Sequence, residues 1–232
     1  MTEGQLLSKP YLLQADDLTY DDIYKIFEKA RFFMDNYKQG VKFDDLKNST
    51  VALAFFENST RTRLSFDLAA KRLSASAFSF SAKTSSLSKG ESLIDTLRTI
   101  EAMNVDMYVV RHGNSGVPIF LQKNTNGIVI NAGDGKHEHP TQALLDSFTL
   151  FRRLGKLDGT KVCIIGDILH SRVARSNITL LRTLGVDVAL CGPGTLMPTH
   201  VDGWDVKIID SVDDAVDWAD VLLVLRLQRE RM

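Results

Sequence analysis

The run Ser59-Thr60-Arg61-Thr62-Arg63 sets hydroxyls and guanidiniums between an apolar stretch (51–56) and a helical pattern carried by Leu64, Leu68 and Leu73. Ser59 or Thr60 can cap that helix. The unpaired N–H groups and positive dipole end of a helix attract an anion, and arginines fork onto phosphate oxygens. The Gly-rich loop and lysine of a nucleotide P-loop are missing, so a small phosphorylated molecule suits the segment better than a nucleoside triphosphate.

Other candidates sit at similar junctions. Arg111 and His112 follow a strand pattern at 107–110, and Arg111 suits a carbonyl or phosphate oxygen. A Gly- and His-rich stretch, read as a loop over 131–139, ends at His139. Pro140 then takes the first helical position, with Gln142 in the first turn. The dipole end there disfavours imidazolium. A neutral His139 can donate one hydrogen bond to a carbonyl and stabilise an oxyanion. His137 lies two residues earlier, but a His-x-His pair with no third ligand is weak ground for a metal, and none is expected. Arg172 follows the turn after the strand pattern 162–165, just ahead of a helical pattern, and Arg226 and Gln228 follow the pattern 221–225. The glycines of a dinucleotide fingerprint are absent, which argues against NAD. Each residue also has a plainer reading: a solvated cap, an arginine reaching from a strand end to water, or a structural histidine. The clusters outweigh those readings only together.

Positioning these groups requires alternating strands and helices. The hydropathy pattern predicts strands at 51–56, 75–80, 107–110, 128–130, 162–165, 186–190, 206–209 and 221–225. Helices are expected after Thr19 and over 60–74, 90–100, 117–121, 140–154, 173–184 and 212–218. That alternation implies an α/β protein with two domains, each a mostly parallel sheet flanked by helices. The expected division is 1–139, a connecting helix at 140–154, and 155–232. Ligands of such sheets bind beyond the carboxyl ends of the strands, where the candidates lie.

The 232 residues carry 28 Lys+Arg against 29 Asp+Glu, so no global field favours nucleic acid or a membrane surface. No apolar stretch reaches the ~20 residues of a membrane span. The only cysteines, Cys163 and Cys191, fall in strand-like runs, which suggests buried thiols in a reducing, cytoplasmic setting.

Four clusters together resemble the transcarbamoylase family: Ser59-Thr60-Arg61-Thr62-Arg63, Lys89-Gly90-Glu91, Val110-Arg111-His112 and His139-Pro140-Thr141-Gln142. The stretch from Ala132-Gly133-Asp134-Gly135 to Asp146 and the run Arg226-Leu227-Gln228-Arg229-Glu230-Arg231 are similar to the aspartate branch. The resemblance implies transfer of a carbamoyl group from carbamoyl phosphate to the α-amine of L-aspartate, without a cofactor. Ser59, Thr60, Arg61, Thr62, Arg111, His139 and Gln142 would then bind carbamoyl phosphate. Lys89, Arg172, Arg226 and Gln228 would bind aspartate. The polar loop 81–88 would bring Lys89 and a serine (Ser86, with Ser85 the alternative) into a neighbouring subunit's site, making a homotrimer with shared active sites. Regulatory chains are a further possible partner. The resemblance also implies that the family continues past Met232, so the second domain is expected to be incomplete here.

Overall fold

The computed structural model describes residues 7–38, 40–81 and 92–227. The chain forms two compact units: Met1–Leu13 with Tyr24–Gly135, and Gln14–Ile23 with Lys136–Met232. The first boundary thus falls a few residues before the expected 139, and the helix after Pro140 lies within the second unit.

In the first unit, β1 (Thr50–Phe55), β2 (Ser76–Ser81), β3 (Met107–His112) and β4 (Ile128–Asp134) make one sheet in the order β2-β1-β3-β4. Every pairing in it is parallel. The helices are α1 (Tyr20–Asn36, whose first residues belong to the second unit), α2 (Thr60–Arg72), α3 (Leu93–Glu101) and α4 (Val117–Gln122). Thr19 caps α1 as expected: its hydroxyl accepts from the Asp22 N–H while the Asp22 carboxylate accepts from the Thr19 N–H.

β1 is apolar from Val51 onward because both its faces are covered. Val51, Leu53 and Phe55 pack in one cluster with Ala70 of α2. Ala52 and Ala54 pack in another with Leu97 and Ile100 of α3 and Leu121 of α4.

β4 runs on to Asp134, through part of the stretch that the sequence marks as a loop. Asn, Gly and Asp are poor strand formers. Tertiary pairing overrides that preference here, with His112 opposite Asp134 beyond a register shift. The buried Asp134 carboxylate accepts from the Gly116 N–H (2.6 Å) and the Asn131 amide (2.9 Å), which fixes the turn into α4.

In the second unit, β5 (Lys161–Ile165), β6 (Asp187–Cys191), β7 (Lys207–Ile209) and β8 (Val221–Val224) form a parallel sheet in the order β7-β6-β5-β8. It carries α5 (Pro140–Leu154), α6 (Arg172–Thr183) and α7 (Val212–Trp218). Cys163 and Cys191 are buried and free, in a cluster with Ala189, Ile209 and Ala215. Burial pushes the Cys163 thiol up to about 11, so it stays protonated and inert at neutral pH. β8 is an edge strand with Leu222 and Val224 exposed.

Gly166, just after β5, has φ +125°, and a Cβ there would lie 3.1 Å from the Leu225 carbonyl oxygen. Gly166→Ala is expected to cost about 1–3 kcal/mol. The midpoint should fall by roughly 2–10 °C in thermal unfolding. An unchanged midpoint would show that the turn relaxes freely.

Candidate functional site

Strand order decides where each unit presents its ligand face. In the first sheet the chain passes from β1 out to β2, then returns to the other side of β1 for β3. The reversal opens a crevice beyond the carboxyl ends of β1 and β3. β1 leads there into Ser59-Thr60-Arg61-Thr62, and β3 ends at Arg111 and His112. The two segments are tied by the Phe56 N–H donating to the Arg111 carbonyl (2.8 Å).

Ser59 occupies the N-cap of α2, but its side chain makes no capping hydrogen bond. Ser92, Ser171 and Ser211 by contrast accept from the third N–H of their own helices. The start of α2 therefore has no capping hydroxyl on its first N–H groups, an arrangement of the kind that attracts anions. Arg61 and Arg63 are exposed beside it, and Thr62 is half-buried.

Arg111 is held at 11% side-chain exposure. Its guanidinium donates to the Ala132 carbonyl and to the Glu57 carboxylate, both at 3.2 Å. Glu57 carries no motif in the sequence; it becomes visible only through this pairing across 54 positions. Together the acceptors fix the plane of the guanidinium fork. His112 accepts from the Asn114 N–H at Nδ1, and burial lowers its pKa, so the ring is neutral at physiological pH.

The second sheet repeats the logic. Its chain runs from β5 out through β6 and β7 and returns on the opposite side as β8. The crevice lies beyond β5 and β8, whose ends lead to Arg172 and Arg226. Leu225 N–H donates to the Ile165 carbonyl (2.8 Å), so the two exits run side by side. Arg172 is buried at the start of α6, while Arg226 is exposed. Between β5 and α6, Asp167 is fully buried and pairs with the His170 ring at 2.9 Å.

His139 and Gln142 share the first turn of α5. The Thr141 hydroxyl lies 3.3 Å from His139 Nδ1. With that hydroxyl donating to Nδ1, Nε2 carries the proton and can donate to a carbonyl oxygen. Gln142 Nε2 donates to the Asp146 carboxylate (2.8 Å), which leaves its Oε1 as the acceptor for an –NH2 group. Asp146 is anchored by Asn177 (3.0 Å), and burial raises its pKa. Asp146 closes the stretch similar to the aspartate branch, but nothing in the sequence announces its partner Asn177.

Burial also raises the pKa of Glu138 above its ordinary 4.5. An acid with a raised native pKa gives stability that is complete below the unfolded value and is lost as pH rises through the native one. Glu138→Gln should therefore flatten the loss of stability with rising pH, as read by unfolding midpoints across that range.

Lys89, Ser86 with its alternative Ser85, and Gln228 lie outside the described residues. Among the described residues no group of three or more His, Cys, Asp or Glu could hold a metal ion, and no helix is long and apolar enough to cross a membrane.

Cationic clusters at both switch points, without a nucleotide loop, define an α/β protein that handles small anionic molecules. Residues 11–152 match the family described as aspartate/ornithine carbamoyltransferase, carbamoyl-P binding domain. The chain is 51% identical over 224 residues to the aspartate carbamoyltransferase catalytic subunit of Prosthecochloris aestuarii, covering 95% of this chain and 72% of that one. It is 52% identical over 226 residues to the same subunit of Cytophaga hutchinsonii, covering 97% and 74%. Among solved structures, Trypanosoma cruzi aspartate transcarbamoylase with carbamoyl aspartate and phosphate superposes with a TM-score of 0.89 at 32% identity, covering 100% and 80%. The catalytic subunit of M. jannaschii aspartate transcarbamoylase gives 0.84 at 35%, covering 97% and 76%. The chain belongs to the aspartate/ornithine carbamoyltransferase family.

Proposed function

We propose that this chain is an aspartate carbamoyltransferase: it moves the carbamoyl group of carbamoyl phosphate to the α-amine of L-aspartate, giving N-carbamoyl-L-aspartate and phosphate, an early step of pyrimidine synthesis. The observation that carries the assignment to an acidic second substrate is the pair Arg172, which opens α6 after β5, and Arg226, just past the adjoining strand β8. A dicarboxylate calls for two such cationic anchors, and ornithine does not.

In this reading the first unit's α2 start grips the phosphate through Ser59, Thr60, Arg61 and Thr62. Arg111 and His139 donate to the carbamoyl carbonyl, and Gln142 Oε1 accepts from the carbamoyl –NH2. The deprotonated amine of aspartate attacks the carbonyl carbon, a C–N bond forms and an oxyanion develops against His139, Arg111 and Thr62. The C–O bond to phosphate then breaks, with Arg61 and Lys89 neutralising the leaving group, and a phosphate oxygen takes the amine proton. Alignment and electrostatics supply the rate, with no covalent enzyme intermediate.

The same reading assigns the first unit to carbamoyl phosphate and the second to aspartate. It also assigns a homotrimer in which Lys89 and Ser86 serve a neighbour's site, possible regulatory chains as partners, and a cytoplasmic setting. Supporting self-association, Leu64 and Leu68 stand exposed one turn apart on α2. The buried free thiols suit a reducing compartment. The test is carbamoyl-aspartate formation from carbamoyl phosphate and L-aspartate, with L-ornithine as control. Turnover with aspartate alone is expected; turnover with ornithine alone would overturn the substrate assignment.

A further inference from the structure

His139 occupies the N-cap of α5 at φ −145° and ψ 67°, and its side chain makes no capping hydrogen bond. That backbone lies outside the extended region that N-cap residues usually adopt. Something beyond the helix must therefore set the direction in which the imidazole leaves the chain. The His139 N–H donates to Ser176 Oγ of α6 at 2.7 Å. Ser176 in turn donates its hydroxyl proton to Glu138 Oε2. The same carboxylate oxygen accepts from the Ala15 N–H at 3.3 Å. Glu138, His139 and Ser176 are all buried, so an unmade bond in this chain would be costly.

The order of donors is forced. The His139 N–H can only donate, so Ser176 Oγ must accept from it. The serine's single proton is then committed elsewhere, and a carboxylate is the acceptor that requires it. Glu138 thus fixes the rotamer of Ser176, and Ser176 fixes the main chain of its neighbour.

We propose that Glu138, acting through Ser176, is a positioning residue that holds His139 in its reactive orientation. The proposal rests on the oxyanion role assigned to His139 above. It makes no use of a charge on Glu138: an amide oxygen at the same place accepts the same bonds. His137 and Asp16 face the carboxylate, and Arg175 and Arg182 line the same cleft.

The experiment compares Glu138→Ala, Glu138→Gln and Ser176→Ala in the whole chain by steady-state kinetics with both substrates. Amide hydrogen exchange at His139 is followed in parallel. Glu138→Ala and Ser176→Ala are each expected to lower kcat about 10-fold, below the ~10²-fold that a 1 Å misplacement can cost. KM for either substrate should change less than about 2-fold, because the His139 bond strengthens only as the carbonyl oxygen becomes an oxyanion. Glu138→Gln should keep kcat within about 3-fold, since its side-chain oxygen replaces the acceptor. The double variant Glu138→Ala with Ser176→Ala should be no slower than the slower single, the mark of one shared pathway. His139 amide exchange should quicken in both alanine variants and stay slow in the glutamine variant.

Wild-type kcat in folded Ser176→Ala and Glu138→Ala would overturn the proposal. So would a Gln variant as slow as the Ala variant. If Glu138→Ala does not fold, Ser176→Ala, one oxygen smaller, decides the matter alone. If the wild type makes no carbamoyl aspartate, the functional reading fails; the His139 exchange comparison still tests the hydrogen-bond chain separately.

Discussion

Arg61→Ala is expected to lower turnover by roughly 10²–10³-fold while leaving the unfolding midpoint unchanged. The size follows from removing a preorganised cation from a phosphate on which negative charge builds as the C–O bond breaks. The lack of a stability effect follows from position. Arg61 is exposed in the first turn of α2. Surface substitutions of that kind stay within about 0.5 kcal/mol. A solvated surface arginine would show neither effect, so steady-state kinetics paired with thermal unfolding separates the two readings. Lys89→Ala is expected to be comparably inactive. Mixing the two variants should restore activity, because a trimer that shares sites rebuilds a native pair wherever one chain's Lys89 serves the other's Arg61. About one interface in four is native by chance in such a mixture. No recovery from a mixture shown to have co-assembled would remove the shared site.

His139→Ala should lower kcat by at least ~10-fold, a floor for losing one oxyanion donor. The loss should fall on kcat more than on KM for carbamoyl phosphate, since the bond strengthens only as the carbonyl oxygen becomes an oxyanion. His139 is buried at a helix N-cap, so part of any loss could be structural. His139→Asn is the control, because asparagine is among the best N-cap residues. An asparagine variant with native stability and a lowered kcat assigns the effect to the imidazole. Unchanged turnover in both variants would end the oxyanion role.

Local sequence signals set the order and kind of the elements and the places where chemistry could sit. Apolar runs such as 51–56 mark buried parallel strands, and a serine or threonine ahead of a 3.6-residue repeat marks a helix start. Both are local signals, set by the nearest few residues. They were enough to put Arg61, Arg111, Arg172 and Arg226 at strand ends or helix starts before any strand order was known. Where a local preference met a tertiary demand, the reading failed: Asn131, Gly133 and Asp134 look like loop, and pairing with β3 makes them strand.

Which strand ends share a crevice depends on how the strands are ordered in the folded sheets. The order β2-β1-β3-β4 sets Arg111 beside the start of α2, and β7-β6-β5-β8 sets Arg226 beside the exit from β5. The supports of the site were equally out of reach. Glu57 meets Arg111 across 54 positions, and Ser176 meets Glu138 across 38. Such partners have no periodicity or motif to betray them. A hydrogen bond between distant segments depends on how packed helices and sheets bring their backbones together, and no local preference carries that information.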